Sequence, residues 1–167
     1  MQLDQGNRIE FLQRMPVFGA LRDDSLRLLL AQARELTVSP GAYFFHEDDP
    51  ARSMFVLGSG RVEVIKTWQG RDFVLNDLGA GDCFGEMALM DLAPRSASVR
   101  AVEPCAAIEF GSDDLMHLYE HDVEQFALIQ MNIGREVCRR LRATDELLFR
   151  LRMGDVPSIP MGLFHAG

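Results

Sequence analysis

Pro40 to Glu86 reads PGAYFFHEDDPARSMFVLGSGRVEVIKTWQGRDFVLNDLGAGDCFGE, and its punctuation decides the fold. Turn formers recur every several positions: Pro40-Gly41, Asp48-Asp49-Pro50, Gly58-Ser59-Gly60, Gln69-Gly70 and Gly79-Ala80-Gly81-Asp82. These residues set or permit backbone angles that regular helix and strand exclude. Between them lie short runs rich in β-branched and aromatic residues. In RVEVIKTW, Val62, Glu63, Val64, Ile65 and Lys66 trade faces, as in a half-buried strand. DFVLNDL follows after a tight turn, so the two runs predict a hairpin. SASVRAVEPCAAIEF adds two more strands, split at Glu103-Pro104. Many short strands at regular spacing imply an all-β sandwich or barrel.

Helical patterns flank this region. FLQRMPVFGAL is broken at Pro16 and Gly19, which predicts a short helix and then a turn. DDSLRLLLAQARELTV begins with acids and places Leu26, Leu29, Leu30 and Ala33 on one face of an amphipathic helix. After Phe110, Ser112 is the expected N-cap, with Asp113 and Asp114 in the first turn. From Val123 to about Leu151 there is no proline. Phe126, Ile129, Ile133, Val137, Leu141, Thr144, Leu148 and Leu151 recur at steps of three and four. At 1.5 Å per residue this is a helix roughly 40 Å long, more than a small β-roll needs to cover itself. The excess stripe predicts a homodimer through residues 123–151. The fold class is α+β, mainly β: an antiparallel β-roll or jelly roll flanked by N-terminal helices and a long C-terminal helix. The expected boundaries are helices over 1–36, the roll over 37–111, helices over 112–152 and an irregular tail over 153–167.

A chain of 167 residues suits one domain with its own core. No apolar run is long enough to cross a bilayer, and the N-terminus lacks a basic segment followed by an apolar one. Cys83, Cys105 and Cys138 are odd in number and far apart, which fits a reducing compartment and three small hydrophobes. A cytoplasmic protein without a membrane partner is expected. The net charge of −8 repels nucleic-acid phosphates, so no DNA partner is expected either. The densest basic run, REVCRRLR, puts Arg135, Arg139 and Arg142 near one helical face, where Glu136 and Glu146 can pair with them.

The chemistry concentrates in FGEMALMDLAPRSASV, Phe84 to Val99. GEMALM forms a short helix after Gly85, and Asp91-Leu92-Ala93-Pro94 closes it. A short helix aims free backbone N–H groups and a positive dipole end at one spot, which favours an anion. Arg95 follows the proline and brings the forked geometry that suits phosphate. Ser96 adds a hydroxyl, while Ala88, Ala97 and Ser98 leave room. Glu86 is a fixed acceptor suited to a sugar diol. Together they describe a site for a phosphorylated sugar.

This segment resembles the phosphate-binding cassette of the cyclic nucleotide-binding domain family, which includes catabolite-activator-type regulators, protein kinase A regulatory subunits and cyclic nucleotide-gated channels. The resemblance covers roughly Phe11 to Leu151, with the cassette at 82–99. It implies that Glu86 accepts from the ribose 2′-hydroxyl and Arg95 pairs with the cyclic phosphate. Backbone N–H groups near Gly85, Met87 and Ala88 and at Ser96, beside Ala97, complete the cradle. CRRLRATDELL resembles the helix whose threonine contacts adenine, which assigns Thr144 to the base; Arg142 joins it as an arginine able to stack on the purine. Two positions depart from the family pattern: HEDDP replaces a glutamate-glycine-aspartate turn, and Asp91-Leu92 stands where glycine is common.

The expected function is a non-enzymatic regulatory module, a stand-alone domain with no helix-turn-helix, kinase, channel or transferase segment. It binds cAMP, or cGMP, without a cofactor or metal, and signals through its C-terminal helix to an effector protein that the sequence does not name. Two alternatives stay open: a ligand-free scaffold for protein contacts, and a cupin-like metal enzyme using His46, Glu47, Asp48 and Asp49.

Overall fold

The computed structural model describes residues 5–154. Three helical pieces come first: α1 (Gln5–Gln13), a 3₁₀ turn (Pro16–Phe18) and α2 (Asp23–Gln32). Eight strands follow: β1 (Arg34–Val38), β2 (Tyr43–Phe45), β3 (Ser53–Ser59), β4 (Arg61–Trp68), β5 (Arg71–Gly79), β6 (Cys83–Phe84), β7 (Ser98–Ala101) and β8 (Cys105–Gly111). Helix α3 (Met87–Asp91) interrupts them between β6 and β7, and α4 (Ser112–His121) and α5 (Val123–Arg152) follow β8. The strands form two antiparallel four-stranded sheets, ordered β1-β8-β3-β6 and β2-β7-β4-β5. The fold class is the one the sequence implies.

β3 shows how the layers are sewn together. Its side chains alternate: Phe55 and Leu57 enter a cluster with Val62, Leu78, Phe84 and Val99, while Met54 and Val56 enter a second cluster. That second cluster holds Leu12, Phe18, Leu26, Leu118, Ile129 and Ile133, so it glues the helices to the back of the first sheet. β8 does the same, with Ala107 facing the first cluster and Ile108 and Phe110 the second. A strand buried on both faces reads as a continuous apolar run, as MFVL does.

α5 is fixed to the helical layer by polar groups as well as apolar ones. Asp122 caps it by accepting from the Gln125 N–H. The buried Gln125 side chain accepts from the Arg22 N–H, and buried Asn132 donates to the Gly19 carbonyl. Ile129 and Ile133 are buried, but Leu141, Leu148, Phe149 and Leu151 are exposed.

Two expectations need correction. The DDSLRLLLAQARELTV pattern predicts a helix through to Val38, with the helical region ending at 36, but the helix stops at Gln32 and the roll begins at Arg34. Ala33 is already extended, and all five residues of β1 pair with β8, from Arg34 opposite Glu109 to Val38 opposite Cys105. That ladder outweighs the helical preference of RELT. Ser112 is the first helical residue, not the cap: Gly111 holds the cap position, and its N–H donates to Asp114. The irregular tail expected at 153–167 lies, from 155 onward, outside the described residues. No helix among the described residues is long and apolar enough to cross a membrane.

Candidate functional site

Three walls enclose a cleft of about 390 Å³. The first is the segment from Gly85 to Ala97, the second is β4 and β5 through Val64, Leu75, Asn76 and Leu78, and the third is α5 through Arg140, Thr144 and Leu147. Gly85, Glu86, Met87, Ala88, Arg95, Ser96, Ala97 and Thr144 all line it.

The local chain path explains the first wall. Gly85 has φ +78, and a Cβ there would meet Arg95 Nη1 at 2.5 Å, so only glycine fits. α3 follows at once, and its first N–H groups, on Met87 and Ala88, precede any carbonyl the helix could offer them. Leu92 then turns left-handed, φ 56, and redirects the chain toward Arg95. The backbone of Arg95 is pinned from outside: its N–H donates to the Asp49 carbonyl, and its own carbonyl accepts from the Asp48 N–H. Asp48 adopts the left-handed conformation that its turn demands, φ 67.

HEDDP is therefore a structural turn. The Asp49 carboxylate accepts from the His46 N–H, and Glu47 pairs with Lys66, which also donates to the Ser96 carbonyl. Among the described residues no group of three or more His, Cys, Asp or Glu side chains is placed to hold a metal ion.

Arg95 is 6% exposed. Nη1 donates to the carbonyls of Ser53, at 2.6 Å, and Gly85, at 3.0 Å, and Nη2 donates to the Ser53 hydroxyl at 3.1 Å. The guanidinium lies over the Phe45 ring, 4.0 Å from its centroid. Nε is buried and makes no hydrogen bond within the described residues. Burial lowers the pKa of Arg95, while Glu109, Asp49 and Glu86 oppose it. Among the described residues no carboxylate touches it as an ion pair.

Glu86 is 2% exposed and meets Arg140, whose Nη1 donates to Oε1 at 2.6 Å. Arg140 also donates from Nε to Glu136 at 3.0 Å and from Nη2 to the Cys83 carbonyl at 2.7 Å. Arg139 holds Glu136 from the other side. Burial pushes the Glu86 carboxyl above the usual range, against the pull of Arg140. Burial works against the Arg140 charge too, but Glu86, Cys83 and Glu136 more than offset it, so that pKa is raised. Burial, with Glu86 adding to it and Arg140 opposing, pushes the Cys83 thiol up to about 12.

Arg140, not Arg142, brings an α5 arginine into the cleft. Arg140, Thr144 and Leu147 share one helical face, whereas Arg142, two residues on, points about 200° away and does not line the cleft. The acid assignments shift accordingly, since Glu136 takes Arg139 and Arg140 while Glu146 takes Arg150. Sequence reasoning passed over Ser53, Phe45 and Asn76 as well. A signal for Arg140 existed in the four-residue step back from Thr144. Ser53 and Phe45 are brought in only by sheet pairing.

Residues 35–122 match the family model of the cyclic nucleotide-binding domain. The chain is 30% identical over 131 residues, 78% of its length, to the cyclic AMP receptor protein of Thermus thermophilus, and spans 59% of that relative. It is 33% identical, over 65% of its length, to a cAMP-dependent protein kinase regulatory subunit of Emericella nidulans, of which it spans 26%. The crystal structure of the Thermus thermophilus catabolite activator protein superimposes with a TM-score of 0.72 at 30% identity, over 82% of this chain and 63% of that one. The chain thus spans less than two thirds of each of these relatives.

Proposed function

The chain belongs to the cyclic nucleotide-binding domain family, and from that premise we propose that it is a regulatory module that binds cyclic AMP in this cleft and passes the event along α5. The observation that carries the proposal is Arg95. A buried cation with carbonyl, hydroxyl and aromatic neighbours, an unsatisfied Nε and no ion-paired carboxylate is costly unless an anion completes it. A cyclic phosphodiester supplies one negative charge, which balances one arginine. Glu86 and Arg140 already neutralise each other. A carboxylate keeps about four lone-pair sites, so Glu86 can still accept from a ribose 2′-hydroxyl beside Arg140. The N–H groups of Met87 and Ala88 and the Ser96 hydroxyl finish the phosphate cradle.

The preference for adenine rests on Thr144. Its hydroxyl donates to the Arg140 carbonyl at 3.0 Å, so it meets a base as an acceptor. Adenine offers an amino donor at the position where guanine offers a carbonyl.

Transmission runs through Arg140, which joins Glu86 in the cradle to Glu136 on the latched part of α5. A ligand shifts α5 only by its preference for one arrangement of that junction. The exposed row of Leu141, Leu148, Phe149 and Leu151 supports a homodimer through 123–151, with an effector protein reading the result. Isothermal titration of ligand-free protein with cAMP and cGMP tests the proposal. Binding of cAMP at micromolar levels or tighter, ahead of cGMP, is expected, and no heat with either nucleotide overturns it. Sedimentation at tens of micromolar tests the dimer, with Leu148→Glu expected to give a monomer; a monomeric parent protein refutes it.

A further inference from the structure

β5 carries a polar side chain that its own fold does not use. Asn76 lies two residues before buried Leu78, so both project to the inner face of the strand. Around it the cleft wall is apolar: Val64, Leu75, Leu78 and, from α5, Leu147. Leu75 reaches the same wall because the ladder skips it. Val64 pairs with Asn76 and Ile65 with Val74, which leaves Leu75 as the extra residue of a bulge. Among the described residues the Asn76 carboxamide makes no hydrogen bond, although it is half-buried. Its polar atoms are not shut away from water, so they stay open to a partner in the cleft, whereas a leucine would fill this apolar wall and offer no directed contact.

Resting on the reading that the cleft holds a cyclic nucleotide, we propose that Asn76 shares with Thr144 the distinction of adenine from guanine, by pairing with the N6 and N7 edge of the base. The carboxamide matches that edge, with Oδ1 accepting from the N6 amino group and Nδ2 donating to N7. Guanine presents two acceptors there, O6 and N7, so the Asn76 oxygen would face an oxygen. Thr144, on the facing helix, accepts the other N6 hydrogen, and the two residues read the amino group without competing for one proton. The apolar side chains around Asn76 hold the faces of the ring and say nothing about its identity.

The test pairs an altered ligand with an altered protein. Calorimetry is run with cAMP, cGMP and 7-deaza-cAMP, which replaces the N7 acceptor with C–H. The parent protein is expected to bind 7-deaza-cAMP about tenfold more weakly than cAMP, the loss of one directed contact. In Asn76→Leu that difference should vanish, and the cAMP-to-cGMP preference should shrink by a similar factor. Asn76→Ser serves as a smaller change should the leucine variant not fold. If the parent protein binds cAMP but treats 7-deaza-cAMP equally, Asn76 does not read the base, and the proposed function stands without it. If the parent protein binds no cyclic nucleotide, both fall together.

Discussion

Arg95 and Arg140 reach one cleft, and they are held in opposite ways. Arg140 touches two carboxylates, Glu86 and Glu136, and a carbonyl. Arg95 touches carbonyls, a hydroxyl and an aromatic face. The fold has satisfied one charge and left the other. A paired buried ion belongs to the architecture, because removing it strands its partners. An unpaired buried ion belongs to whatever completes it. On the proposed reading the difference divides the cleft into a part that holds α5 in place and a part that takes an anion, and each part should fail in its own way when altered.

The largest effect is expected on binding. Arg95→Ala should weaken cAMP affinity by about 2–5 kcal/mol, the range for truncating one side of a buried charge pair. Calorimetry measures this. Its melting temperature should move less than that of the Arg140 variant, since no carboxylate is stranded. A large loss of stability with little loss of affinity would reverse the assignment of the two arginines.

Arg140→Ala should do its damage to folding, at about 3 kcal/mol, the lower end for breaking a buried pair because the Arg140 side chain is 21% exposed. The loss should depend on pH. Burial holds the folded-state pKa of Glu86 above its usual 4.5, so in the window above that value the folded state binds more protons than the unfolded one. Stability contributed by this group therefore falls as pH rises through the window. Without Arg140 the carboxyl moves further up, and the defect should be larger at pH 8 than at pH 5 in denaturant titrations. A defect independent of pH would mean that Arg140 matters through packing alone.

These two residues also mark what the sequence made legible. The cassette is local: Gly85, Glu86 and Arg95 lie within 10 positions of one another, and the spacing of glycine, acid, short helix, proline and arginine carries its own chemistry. The hairpin was legible for the same reason, because turn and alternation are short-range signals. Arg140 is 54 residues from Glu86, and only the return of α5 across the cleft brings them together. Arg142 looked equivalent in the list of basic residues and differs only in helical phase. β1 departs from the local helical pattern of RELT because pairing with β8, far along the chain, outweighs it. Asn76 sits in phase with Leu78, but only the return of α5 across β5 makes that face a cleft wall.

Thr144→Ala sharpens the comparison on the α5 side. Its hydroxyl already donates to the Arg140 carbonyl, so truncation removes a single contact to the base, near 1 kcal/mol of affinity. The loss should fall on cAMP and leave cGMP almost unchanged. Equal losses for Thr144→Ala and Arg95→Ala, measured by the same titration, would show that the phosphate is held elsewhere.

The smallest effect concerns the path between helix α3 and Arg95. Leu92 is 79% exposed and sits at φ 56, ψ 20. A left-handed conformation costs a residue with a Cβ roughly 1 kcal/mol, and an exposed leucine recovers little of it by packing. Something else holds the angle: the Asp91 carboxylate accepts from the Ala93 N–H, and the Arg95 backbone is clamped to the Asp48–Asp49 turn. Glycine at 92 relieves the strain but gives the unfolded chain more freedom, so the two effects nearly offset. Leu92→Gly should therefore raise stability by about 0.5 kcal/mol or less, Leu92→Ala should be neutral, and Leu92→Val should lower it, because β-branching makes the left-handed region harder still. In all three the affinity for cAMP should hold, since Leu92 does not line the cleft. If Leu92→Val is as stable as the parent in thermal melts, the left-handed turn is not fixed by its surroundings. Arg95 is then aimed by the Asp48–Asp49 clamp alone, and the contrast with Arg140 rests on that one turn.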